Sequence, residues 1–202
     1  MKQRPAIDVS HLPLHAYGSH TTLWWGNVLM CVIEGTMFAI VVASYFYIRK
    51  VFPHWPPLNT PFPDLLPGTV NTVILLVSCA PMVWVHRLAV GEGSQRAIQA
   101  GVLICIALML TSIALRWFEF PRMFSQWDSN AYGSITWTAL GLHLGHLLAA
   151  TAEASVLAAW MFTHELDEKH RLDLNMLALY WYFVVGAWAI LYPVLYFGPR
   201  LL

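Results

Sequence analysis

Five long apolar runs constrain this chain more than any other feature. They lie at about residues 23–48, 69–88, 95–117, 131–163 and 174–198. A bilayer's hydrocarbon core is about 30 Å thick, and a helix rising about 1.5 Å per residue crosses it in about 20 residues. Each run reaches or nearly reaches that length. The first holds a single charge, Glu34, the fourth a single charge, Glu153, and the fifth none. His86 and Arg87 close the second, and Arg96 and Arg116 bracket the third. Backbone amides in lipid have no water to bond, so such runs must be helical. The expected architecture is all-α: a polytopic five-transmembrane-helix bundle over 23–202, preceded by a polar surface arm over 1–22. The fourth run exceeds one crossing, so that helix tilts or projects beyond the bilayer.

Composition agrees. Only 11% of residues are charged, against about 25% in an ordinary soluble domain. Net charge is zero, which argues against a nucleic-acid partner. Cys31, Cys79 and Cys105 all fall inside apolar runs and read as small buried thiols rather than a disulfide framework. The first 22 residues contain Lys2, Arg4, Asp8, three histidines and two prolines. That is no signal-peptide pattern, so the first helix is expected to insert uncleaved. Residues 53–67 hold six prolines and form an extended loop. Lysine and arginine divide six against five between the two sides, so charge does not fix the orientation.

An ionisable group at bilayer depth costs at least about 2.5 kcal/mol and is a functional candidate for that reason. Glu34 must be protonated, paired or bonded to a neighbouring helix. His143 and His146 are three residues apart and share a face of the fourth helix, with Glu153 two turns further along the same stripe. Helix rise puts Glu153 about 10 Å from His146, so these groups cannot chelate one ion. Hydrogen bonding between helices is the better reading, and no metal site is expected. The fifth run carries Tyr180, Trp181, Tyr182 and Trp188. They could form a quinone-stacking wall, but packing against helices or a partner is the commoner use. Phosphate loops, haem-attachment motifs and nucleophile elbows are absent from the sequence. No catalytic residue is assigned. The residues favour an accessory subunit or a small transporter over a free-standing enzyme.

Several ordered motifs carry a family resemblance from about Asp8 to the C-terminus. Ile33-Glu34 precedes Met37-Phe38. Trp55-Pro56-Pro57 is followed by Asn71-Thr72-Val73-Ile74-Leu75-Leu76. Next come His86, Glu92-Gly93, Arg96 and Gln99-Ala100, then Glu119 before Pro121. Tyr132-Gly133-Ser134 leads to Gly141-Leu142-His143 and His146, and Tyr180-Trp181-Tyr182-Phe183-Val184 to Trp188 and Leu191-Tyr192. In this order they resemble subunit III of the haem–copper oxidases. Longer members have seven helices, and this chain would lack the first two. Tyr182 and Val185 stand where the family usually has histidine and aspartate, and Glu153 looks like an addition.

The resemblance implies a non-catalytic subunit of an aerobic terminal oxidase (cytochrome c oxidase) that passes electrons to oxygen and pumps protons. Haem and copper would lie in partner subunits I and II, with none in this chain. Its implied work is to pack against subunit I, hold phospholipid in a cleft and support proton uptake. It would sit in the cell inner (plasma) membrane with its N-terminus cytoplasmic. Glu34 with His143 and His146 would form the buried polar cluster, a protonated Glu34 bonding across to the fourth helix. A subunit III-like protein of a nitric oxide reductase or quinol oxidase is the near alternative. An autonomous proton-coupled carrier is the distant one, opposed by the odd helix number and the lack of an inverted repeat.

Overall fold

Four of the five long helices start at a capping side chain rather than at the first apolar residue. In the computed structural model, which describes residues 21–91 and 93–201, Thr21 caps α1 (Thr22–Val51) and Asp64 caps α2 (Leu65–Val90). Asn130 caps α4 (Ala131–Thr163), accepting from the Gly133 amide at 2.8 Å, and Asp167 caps α5 (Glu168–Tyr192), accepting from His170 at 2.9 Å. α3 spans Gln95–Glu119. α2 and α5 therefore begin several residues before their apolar runs, because an Asp at the N-cap satisfies a free amide there. Amide and ring hydrogen bonds from His170 hold the Asp167 carboxyl below its usual range. That cap is intact at neutral pH and is lost as pH falls through the lowered value. The polar arm lies outside the described residues but for its last two positions, as does Glu92 of the α2–α3 connection.

Among the described residues there is no strand, and all five long helices are long and apolar enough to span a membrane. α5 is the hub. It packs on α1, α2 and α4, while α3 closes the far side between α2 and α4. At α5's end Pro193 lacks an amide hydrogen, and the chain passes through a π turn (Pro193–Phe197) into a last short helical turn, α6 (Gly198–Leu201). α4, at 33 residues, is about 50 Å long and outruns a hydrocarbon core.

Side chains stitch the connections onto the bundle. At the end holding the α2–α3 and α4–α5 turns, Arg171 Nη2 donates to Gly93 O (3.0 Å), and Gln95 Nε2 to Met161 O (2.7 Å) and His164 O (2.8 Å). The His170 ring stacks on Trp160 at 3.5 Å. At the opposite end the proline loop is held by Trp55. Its indole is buried, donates to the Tyr45 hydroxyl (2.8 Å) and meets Tyr132 edge-on at 5.0 Å. Arg200 Nη2 donates to Pro63 O at 2.6 Å. Trp55→Ala should lower the unfolding free energy in mixed micelles by about 3–5 kcal/mol. A loss below 1 kcal/mol would mean the loop is not anchored through this ring.

Candidate functional site

Polar side chains inside the bundle gather into two groups separated by the Phe38 ring. The larger one centres on Arg116, which sequence reading places at the edge of the third span. It is instead fully buried, as is Glu119 one turn later. Arg116 Nη1 donates to Glu119 Oε2 (2.7 Å), and Asn71 Nδ2 donates to the same oxygen (3.2 Å). Tyr196 OH donates to Glu119 Oε1, and Ser112 Oγ to Asn71 Oδ1. The guanidinium lies 3.9 Å from the centre of the Trp188 ring, a cation–π contact. Trp188 Nε1 in turn donates to Thr72 Oγ1 at 2.8 Å. Gly68 makes room for this arrangement, since a Cβ there would overlap the Tyr196 ring. The cluster ties α2, α3, α4, α5 and the π turn together with one positive and one negative charge.

His143 completes it. Arg116 Nη2 lies 3.1 Å from His143 Nδ1, and His143 Nε2 lies 3.2 Å from Val184 O. A guanidinium only donates and a carbonyl only accepts. His143 is therefore neutral, with its proton on Nε2.

His146, one turn along α4, carries its proton on the other nitrogen. Its Nδ1 lies 2.7 Å from Leu142 O and must donate to it, which leaves Nε2 facing Glu34 Oε2 in hydrogen-bond contact. One proton lies between that nitrogen and that oxygen. The pair is either carboxylic acid with neutral imidazole or carboxylate with imidazolium, and its net charge is zero in both. Phe38 covers it, 4.8 Å from the His146 ring and 6.4 Å from that of His143. The pair opens on a groove of about 360 Å³ lined by Gly141, Gly145, Ala149 and Tyr180. The two glycines keep this face of α4 open, since a Cβ on either would meet nothing within 4 Å.

The structure thus joins Glu34 to His146 but sends His143 to a different partner. Glu153 joins neither group. It is exposed on the surface of α4 and lines another groove with Asp173. Trp181 and Trp188 are interior, Tyr180 is buried, and Tyr182 is half-buried against the core. Trp181 Nε1 donates to Ser78 Oγ at 3.0 Å, so both tryptophans pack helices inside this chain. Among the described residues no three His, Cys, Asp or Glu side chains lie close enough to hold a metal ion. The Arg116 cluster was missed in the sequence. Its signal was an opposite-charge pair three residues apart at the end of an apolar run, where an interfacial arginine is the usual reading.

The sequence model of the family described as "Cytochrome c oxidase subunit III" matches residues 7–199. The chain belongs to the cytochrome c oxidase subunit III family. Among relatives, it is 27% identical to cytochrome c oxidase subunit 3 of Pisaster ochraceus, covering 90% of this chain and 72% of that one. It is 28% identical to the Rattus norvegicus protein of the same name, covering 92% and 72%. With that of Rhizopus stolonifer the identity is 27%, over 90% of this chain and 66% of the relative. Membership makes this a respiratory membrane subunit that works in a complex with other oxidase subunits, and the family has no redox centre of its own.

The buried ion pair predicts strong coupling. Arg116→Met strands the Glu119 carboxylate and should cost about 3–5 kcal/mol of stability. Adding Glu119→Gln, which keeps an acceptor without the charge, should recover part of that loss in a double-mutant cycle of micelle unfolding. Strictly additive losses would contradict the pairing.

Proposed function

We propose that this chain is a non-catalytic subunit of an aerobic haem–copper terminal oxidase that packs against subunit I, holds phospholipid and supports proton uptake. The observation that carries the reading is the Glu34–His146 pair, which shares one proton beside a groove open to the bilayer. A proton can pass between the two groups without changing the net charge, so the transfer leaves no unpaired charge in low-dielectric surroundings. His143, fixed between Arg116 and Val184 O, holds the neighbouring turn of α4 and keeps His146 in register.

Lipid binding has a second support. α1 and α5 face each other across an apolar groove of about 600 Å³ walled by Gly35, Ala39 and Ala43 on one side and Gly186 and Ala187 on the other, a lining that suits an acyl chain. The outer face of α1, with Leu29, Ile33, Met37 and Ile40 exposed, is the surface we assign to subunit I. Haem and copper belong to subunits I and II in this reading. The membrane is the cell inner (plasma) membrane, with the start of α1 on the cytoplasmic side.

Glu34→Ala in the intact oxidase removes the shared proton. We expect less co-purifying phospholipid, weaker retention of this subunit through detergent washes and faster loss of oxygen-consuming activity with turnover, at unchanged haem spectra. Altered haem spectra at full subunit content would count against the reading.

A further inference from the structure

The outer face of α4 differs from those of its neighbours. Thr138, Gly141, Gly145, Leu148, Ala152 and Ser155 are all exposed and follow one another at steps of three and four residues. A period of about 3.5 residues keeps one seam turned toward a second helix, here over about 26 Å of rise. Only Leu148 is large. A Cβ on Gly141 or Gly145 would meet nothing within 4 Å, and the hydroxyls of Thr138 and Ser155 turn back onto Ser134 O and Thr151 O of their own helix. The exposed faces of α1 and α3 are bulky instead, with Leu29, Ile33 and Ile40 on the one and Leu103, Ile104 and Leu110 on the other. Bulky faces suit acyl chains, whereas small residues let another helix backbone approach closely.

Polar atoms in the adjoining groove point the same way. Tyr180 is only 6% exposed and lines this groove beside Gly141 and Gly145, yet no described residue bonds its hydroxyl. Glu34 Oε1 is likewise without a bond from any described residue, since His146 faces Oε2. Neither atom is sealed from the groove. The shared proton lies at Oε2, so Oε1 only accepts in either form of the pair. Glu34 is near the middle of α1 and His146 near the middle of α4, and lipid headgroups lie about 15 Å from that level. Water is absent from the hydrocarbon, and an acyl chain has nothing to offer a hydroxyl or a carboxyl oxygen.

We propose that the α4 stripe and this groove seat one transmembrane helix of another oxidase subunit, which brings a hydroxyl or carboxamide side chain to the level of Gly145. That side chain accepts from the Tyr180 hydroxyl and donates to Glu34 Oε1. Serine, threonine, asparagine and glutamine can fill both roles, while lysine and arginine only donate. The inference rests on the functional reading above, since it needs an assembled oxidase. The acyl-chain groove between α1 and α5 is a separate surface.

A photo-crosslinking residue in place of Leu148, activated in native membranes, tests the seat after purification through a tag on this chain and peptide mapping. We expect an adduct to a transmembrane segment of another oxidase subunit that carries Ser, Thr, Asn or Gln within about two turns. Gly145→Leu fills the seat in a place where this chain itself has room, and should lower the adduct yield about tenfold. Tyr180→Phe removes one interhelical hydrogen bond and should lower it about threefold. Adducts to lipid, to a small amphiphile or to a second copy of this chain would overturn the docking proposal. So would adducts to a segment without such a residue, or an unchanged yield in either variant. The haem spectrum and subunit content of the unsubstituted complex read the functional assignment separately. Oxidase subunits present with a lipid-only adduct leave that assignment standing, and their absence overturns both.

Discussion

Hydrocarbon offers no hydrogen bonds, so a charge inside this bundle persists only with a partner on its own or a neighbouring helix. Arg116 sets the terms. Its guanidinium is fully buried, and Glu119, His143 and the Trp188 face take up what water would otherwise supply. Those partners recruit Asn71, Ser112, Tyr196 and Thr72, so that one cation fixes the relative positions of α2, α3, α4 and α5. Apolar burial cannot do this alone, because lipid tails are as apolar as leucine and do not drive helices together.

α1 is attached differently. It takes no part in the Arg116 cluster and packs mainly on α4 and α5, through Glu34–His146, Asn27–Met176 and Phe38, with Tyr45 bonded to Trp55 of the proline loop. Most of its surface is exposed. Three grooves border it, between α1 and α4, between α1 and α5, and among the starts of α1 and α5 and the last third of α4. The helix with the fewest internal ties is thus the one around which the grooves gather. The two histidines mark the boundary: His143 belongs to the interior cluster, His146 to the groove, with Phe38 between them.

Span positions and Glu34's need for a partner were legible in the sequence because both follow from depth, which hydropathy and helix rise report directly. Azimuth was harder. His143 and His146 share a face at helical spacing, yet the roughly 60° between them around the helix axis sends one to α3 and α5 and the other to α1. Arg116 was read as interfacial because a run of apolar residues ends there. α3 instead continues to Glu119, and the pair turns inward where Asn71 and Tyr196 wait. Those two lie 48 and 77 residues from Glu119, and no local pattern announces partners that far away. Helix starts were misjudged for a simpler reason, since Asp64 and Asp167 begin α2 and α5 outside the apolar runs.

Two histidines one turn apart are held by different partners, His143 with its proton on Nε2 and His146 with one on Nδ1. Nitrogen-15 solid-state NMR of histidine-labelled complex in lipid, assigned with His143→Gln and His146→Gln, tests it directly. The expected result is a protonated Nε2 and bare Nδ1 at His143, and at His146 a protonated Nδ1 with an Nε2 resonance that moves when Glu34 is replaced by Gln. The same tautomer at both residues, or an Nε2 signal of His146 indifferent to Glu34, would contradict it.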